Sequence, residues 1–205
     1  RVVTPGTVIA SSMLEDGKNN YICAVYADSA ACALCLCDIS TGEAYGASFP
    51  AGEEGLGHLR NELARFHPAE AVLSSGAWST EGLVPFLKER LSCLCENGGE
   101  ARFRVKTARP LAEKQFKTGL TDIPAGDEAA VQAAGGLLAY LYETQKTDLS
   151  HISHFSYYTV GQFMELDLTA RQTLELTATM RGKEKRGSLL WVLDKTKTAM
   201  GGRLL

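Results

Sequence analysis

The stretch from Ala31 to Cys37 constrains the fold more than any other part of the chain. Read as a strand, it puts Cys35 and Cys37 on one face and Leu34 and Leu36 on the other. A strand apolar on both faces belongs in the middle of a sheet covered on both sides, so helices are needed above and below it. Two more strand patterns flank it, Tyr21 to Tyr26 and Glu43 to Phe49. The links between the three are short and polar, which favours antiparallel pairing.

After Phe49 the period changes from two to that of a helix. Leu56, Leu59, Leu63 and Phe66 form a stripe, and Pro68 ends that helix because proline has no N–H to donate. Ala71-Val72-Leu73 reads as a short buried strand. Ser79 or Thr80 is expected to cap a helix carrying Leu83, Phe86 and Leu87, with Pro85 tolerated near its start. Phe103 and Val105 alternate with Arg102 and Arg104, which predicts a half-exposed strand, and Pro110 is expected to open a short helix with Leu111 and Phe116. Residues 117–126 read as loop. Asp127 and Glu128 then sit where acids favour a helix N-terminus. Ala129, Ala130, Ala133, Ala134, Leu137, Leu138 and Leu141 make that helix's apolar face. Gly135-Gly136 in mid-helix costs about 1 kcal/mol per glycine relative to alanine, which predicts another backbone packed against it. Phe155 to Val160 reads as a strand or extended connector. Beyond it, Leu166, Leu168, Leu174, Leu176 and Met180 predict a helix ending at Gly182. Ser188 caps a second helix and Thr198 a third.

The expected architecture is an α/β layered domain with a mixed sheet flanked by helices, followed by the first helices of an all-α domain. The 205 residues carry a formal charge of -3, whereas a domain that holds nucleic acid unaided is usually basic. No run reaches the ~18 apolar residues of a membrane span, and no signal-peptide pattern follows Arg1. The uncapped apolar run at Leu205 and the missing Met predict a piece of a larger protein.

Chemistry-bearing motifs are sparse. Neither G-x-x-x-x-G-K-[ST] nor G-x-G-x-x-G after a strand occurs, and there is no G-x-S-x-G elbow. Cys32, Cys35, Cys37, Cys93 and Cys95 have spacings reminiscent of zinc ligands, but their apolar strand setting favours core packing. His151 and His154 form H-x-x-H without a metalloprotease's glutamate and read as loop surface. The order of three strands, then alternating helices and strands, resembles an RNase H-like domain. A metal-dependent nuclease of that class would need Asp28, Asp38 and Glu43 to converge, and turn carboxylates are the plainer reading. Arg181, Lys183, Lys185 and Arg186 make one positive turn, a candidate for contact with DNA backbone, against the reading of a solvated loop.

Three stretches together resemble the MutS family of DNA mismatch repair proteins. They are Arg1 to Thr7, Leu36 to Glu43, and the run from Met164 through Leu176, Gly187 to Thr196 and Thr198 to Leu205. The resemblance implies a linker from an absent mismatch-binding domain over residues 1–11, an RNase H-like connector over 12–150, a connecting segment over 151–165, and the start of a helical core or lever domain over 166–205. It implies a non-catalytic part with no cofactor of its own. The whole protein would be a cytoplasmic, homodimeric ATPase that uses ATP and Mg and binds mismatched duplex DNA through absent domains. The connector would transmit conformational signals and dock a MutL-type partner, with no role for a membrane. The resemblance does not fix the docking residues; the half-exposed basic face around Arg102, Arg104, Lys106 and Arg109 is the expected one.

Overall fold

The computed structural model describes residues 4–7, 19–145, 148–160, 166–198 and 201–202. The expected linker therefore lies outside the described residues except for 4–7, as do residues 161–165 of the connecting segment.

The sheet has six strands in the order β5-β4-β1-β2-β3-β6. β1 (Tyr21–Ala27), β2 (Ala31–Asp38) and β3 (Glu43–Pro50) form the expected antiparallel meander. β4 (Glu70–Leu73) joins β1 in parallel, and β5 (Leu94–Asn97) joins β4 in parallel. β6 (Ser156–Tyr157) runs parallel to β3 at the other edge. The two apolar faces of β1 and β2 feed two separate cores. Ile22, Ala24, Cys35 and Cys37 pack with Leu137, Leu138 and Leu141 on one side. Cys23, Val25, Leu34 and Leu36 pack with Leu59, Leu63, Leu83 and Leu87 on the other.

On the second side lie α1 (Glu53–Phe66), α2 (Ser75–Ser79) and α3 (Leu83–Pro85), which continues as a wider turn through Arg90. α1 stops where its pattern stops: His67 turns left-handed at φ 48° just ahead of Pro68. On the first side lie α4 (Val105–Gln115) and α5 (Glu128–Gln145). Asp127 Oδ1 accepts from Ala130 N at 3.2 Å, closing the N-terminus of α5 as its position predicts. The glycine pair has the expected reason. A Cβ on Gly135 would lie 2.3 Å from Ala108 Cα of α4, and one on Gly136 would lie 2.4 Å from the Phe103 ring. The backbone that approaches is a helix, so α5 is buried both toward the sheet and toward α4.

Four local expectations fail, each for a physical reason. The residues from Arg102 to Val105 are not a strand: 101–103 form a single 3₁₀ turn and Val105 starts α4. An alternation only four residues long does not separate the two periods, and burying Phe103 against α5 decides between them. The fifth strand is instead Leu94–Asn97. Pro110 does not open α4 but lies inside it, on the exposed side, where a carbonyl without a donor can face water. Ser79 and Thr80 do not cap α3. Gly82, left-handed at φ 72°, occupies that position, while Ser74 caps α2 by accepting from Ala77 N at 3.2 Å.

The helix expected to reach Gly182 is α6 (Leu168–Thr173) alone, and the chain then turns through Glu175 at φ 47°. Short helices depend on packing of their apolar face, and Leu174 and Met180 stay 58% and 62% exposed. Ser188 does cap α7 (Leu189–Leu193), accepting from Trp191 N at 3.2 Å, and Thr198 Oγ1 accepts from Gly201 N at 3.1 Å.

Candidate functional site: the two ends that hold the connector

The polar chemistry of the domain concentrates where chain enters and leaves it. Entry is organised by Glu70, the first residue of β4 and 0% exposed. A buried carboxylate is costly unless its oxygens are filled by donors. Tyr140 of α5 donates to Oε1 at 2.5 Å, Gly6 N donates to Oε2 at 3.0 Å, and the Thr4 hydroxyl donates to Oε2 as well. Burial, then the adjacent Glu70 carboxylate, push the Tyr140 hydroxyl well above the ordinary tyrosine range. Gly6 must be glycine-sized, since a Cβ would meet Glu70 Cβ at 2.8 Å and Ile22 Cβ at 2.9 Å. Residues 4–7 of the expected linker are thus seated on the sheet, with Thr7 fully buried.

Exit is organised along the β3–β6 edge. Gln115 Nε2 donates to the carbonyls of Leu149 and Ile152, both at 2.7 Å. His151 Nε2 lies 2.8 Å from Ile39 O, and His154 Nδ1 lies 2.8 Å from Thr118 Oγ1, so the two histidines stitch loops together. Phe155 is fully buried. Its ring fills the space above Gly46, where a Cβ would come within 2.2 Å. Tyr158 N donates to Gly46 O at 3.0 Å, and the Tyr158 hydroxyl donates to Glu62 of α1 at 2.6 Å. Burial first, then the Glu62 carboxylate, push that hydroxyl far up. Tyr158, Val160 and Leu168 pack on the core beneath α1, so α6 begins against α1.

The three acidic candidates do not converge on one point. Tyr21 of β1 pairs with Asp38 of β2, so Asp38 sits at one end of β1 and Asp28 lies beyond the other. Seven strand residues separate those ends by roughly 20 Å. Asp38 accepts from Ser40 N at 2.8 Å and Asn20 N at 3.0 Å, as a turn carboxylate does. Burial works against charge on Asp28, but the amides of Ala31 and Ala30 and the Tyr26 hydroxyl outweigh it and hold Asp28 below the usual carboxylate range. Glu43 is exposed opposite Asp38. Asp28 is therefore kept apart from the cross-strand pair Asp38 and Glu43, so the three carboxylates do not meet at one point. Among the described residues no three His, Cys, Asp or Glu side chains form a metal-binding group.

Arg102 reaches α5 and β5, bonding Glu143 Oε2 at 2.6 Å and Glu96 at 3.5 Å, and lies over the Tyr140 ring at 5.7 Å. Arg109 pairs with Glu128 at 2.8 Å. Arg104 and Lys106 are exposed at the start of α4. Arg181, Lys183, Lys185 and Arg186 are all exposed, with Lys185 paired to Asp194. Reading the sequence for catalytic motifs missed Glu70, Tyr140, Glu62 and Tyr158. The available clue was a glutamate opening the buried run Ala71-Val72-Leu73.

The fold and its two anchored segments define a class: an α/β domain with a mixed six-stranded sheet, gripped by one chain segment at the start of β4 and β1 and by another along the β3–β6 edge. Residues 20–153 match the family described as MutS domain II, and residues 169–205 match MutS domain III. The chain is 41% identical over 205 residues to the DNA mismatch repair protein MutS of Ruminiclostridium cellulolyticum, covering all of this chain and 23% of that protein. It is 38% identical to the proteins of the same name from Acetivibrio thermocellus and Alkaliphilus oremlandii, covering all of this chain and 23% and 24% of theirs. The chain therefore belongs to the MutS family of DNA mismatch repair proteins. It spans about a quarter of the length of these relatives. No helix among the described residues is long and apolar enough to cross a membrane.

Proposed function

We propose that these residues act as the non-catalytic connector of a cytoplasmic mismatch repair ATPase, carrying conformational signals between mismatch-binding and ATPase domains outside this chain. The reading rests on one observation above all: the incoming segment at Thr4–Gly6 is bonded to β4 and the outgoing segment at Phe155–Tyr158 is bonded to β3 and α1. A sheet buried on both faces between those anchors moves as a unit, so displacement at one end is passed to the other. ATP and Mg are cofactors of the whole protein in this reading, and mismatched duplex DNA is bound by its other domains within a homodimer.

The exposed start of α4, Arg104 and Lys106 with Arg102 and Arg109 beside them, is the docking face for a MutL-type partner. The turn Arg181, Lys183, Lys185 and Arg186 contacts DNA phosphates when the helical domain is engaged.

The test uses the full-length protein carrying Glu70→Gln with Tyr158→Phe. Mismatched duplex is expected to bind as before while its stimulation of ATP turnover falls several-fold. Unchanged stimulation sinks the transmission role. Capture of a MutL-type protein is expected to weaken with Arg104→Glu and Lys106→Glu; undiminished capture relocates the docking face.

A further inference from the structure

The last turn of α5 is gripped from two sides. Tyr140 and Tyr142 are two residues apart, about 200° around the helix, so they reach in nearly opposite directions. Tyr140 is buried and donates to Glu70 Oε1 at 2.5 Å. The other oxygen of that carboxylate holds the entry segment through Gly6 N and the Thr4 hydroxyl. Tyr142 donates to Oε1 of Gln115, the last residue of α4. The Gln115 amide is buried, and its Nε2 donates to the carbonyls of Leu149 and Ile152, both at 2.7 Å. Those partners fix its orientation, because a flipped amide would turn its oxygen on two carbonyls. The turn from Leu149 to Ile152 closes on itself, with Ile152 N donating to Leu149 O at 2.9 Å. It leads to the buried Phe155, whose ring packs on Phe116 with centroids 5.2 Å apart. The two holds meet where α5 has least support of its own. The last carbonyls of a helix have no intrahelical donors, and Thr144 Oγ1 donates back to Tyr140 O at 2.8 Å, a bond that loosens a helical turn.

We propose that the last turn of α5, Tyr140 to Gln145, is an order–disorder link that couples the entry segment to the exit turn at Leu149 to Ile152. The link rests on the transmission reading and names the element that carries it. While Gly6 N and Thr4 fill Glu70 Oε2, the carboxylate keeps its buried site and Tyr140 keeps its acceptor. When the entry segment lifts, Oε2 loses both donors, and a buried carboxylate short of donors is costly. Glu70 then turns toward the water that the segment excluded, and the Tyr140 bond breaks. The last turn opens, Tyr142 leaves Gln115, and the Gln115 amide is no longer held against the exit turn. The link runs in both directions, because a coupling free energy between two sites is reciprocal.

The experiment follows amide hydrogen exchange by mass spectrometry in the full-length protein, without DNA or ATP, so the link is read whether or not ATP turnover depends on it. Gly6→Ala puts a Cβ 2.8 Å from Glu70 Cβ and 2.9 Å from Ile22 Cβ, which lifts the entry segment without touching α5 or the exit turn. Peptides covering residues 140–145 and 149–155 are expected to exchange about tenfold faster, the change that losing one hydrogen bond to a charged group makes in an opening equilibrium, while α1 amides keep their rates. Thr4→Val removes one donor without the clash; it is expected to do the same to a smaller degree and carries the test if Gly6→Ala does not fold. Tyr142→Phe is expected to act in the reverse direction and speed exchange at Gly6 and Thr7. Unchanged exchange at 149–155 in the entry variants, unchanged exchange at Gly6 and Thr7 in Tyr142→Phe, or acceleration of α1 by the same factor as 149–155 each overturns the proposal. Exchange that responds as expected beside unchanged ATP stimulation keeps the link and sinks only the transmission reading.

Discussion

Replacing Glu70 by leucine tests whether one buried carboxylate holds the entry segment to the sheet. Glu70 is fully buried and accepts from Tyr140, Gly6 N and Thr4. Each buried donor left without an acceptor costs about 1–3 kcal/mol. Stranding the Tyr140 hydroxyl and Gly6 N should therefore cost about 2–6 kcal/mol, a large share of the ~5–15 kcal/mol that holds a domain together. Tyr140→Phe alone removes a bond to a charged group and should cost about 1.5–3 kcal/mol. The informative quantity is the cycle. In the Glu70→Leu background, Tyr140→Phe deletes an unpaired hydroxyl and should be neutral or stabilising, so its sign reverses between the two backgrounds. Urea unfolding followed by far-UV circular dichroism reads all four proteins, with the m-value checking that the unfolded state is unchanged. An equal cost of Tyr140→Phe in both backgrounds would refute the coupling, and with it the view that Glu70 is the acceptor that organises the junction.

Gly57 and Gly135 are both helical, and alanine should be worth about 1 kcal/mol at either on propensity alone. Nothing lies within 4 Å of a Cβ at Gly57, so Gly57→Ala should stabilise, whereas at Gly135 the clash with Ala108 backbone should turn the gain into a loss, read as opposite shifts in urea midpoint. Phe155→Ala empties a fully buried position and should cost about 3–5 kcal/mol, with protease cutting near residue 155 appearing at the same time. The Asp28 carboxyl is depressed in the folded state, so its contribution is full above the unfolded value of about 4 and is lost as pH falls below it. The stability difference between wild type and Asp28→Asn should accordingly shrink below about pH 4, and a difference constant with pH would contradict the assignment. Arg102→Ala should cost under about 1 kcal/mol, because its partners Glu143 and Glu96 are about half exposed and exposed pairs contribute little.

Much of the framework is legible in the residues themselves. Two-faced apolar runs at Tyr21 to Cys37 require a central sheet with helices on both sides, because no other arrangement removes both faces from water. The stripe Leu56 to Phe66 followed by Pro68 is a helix with a defined end, and the small residues around Gly135 announce a close neighbour. These are local statements, settled within a few residues by period, cap and breaker. The ambiguous parts were those where local preference is weak. Arg102 to Val105 joins a turn and a helix because Phe103 is needed under α5, and Leu94 to Asn97 becomes the edge strand because β4 offers it an open ladder. Between Leu168 and Leu193 the chain forms only short helices because its apolar residues find little to pack on.

The anchoring sites were hidden for a related reason. Glu70 and Tyr140 are 70 residues apart, as Glu62 and Tyr158 are 96 apart, and no spacing rule links them. Sequence by itself determined the layers, the three-stranded meander, the helices α1 and α5 and the burial of the cysteines in β1 and β2, since hydrophobic period and turn chemistry act locally. Only the tertiary structure decided which carboxylates are buried and which chain segments they hold. Those facts depend on which strands become neighbours, and that is a property of the whole packed sheet.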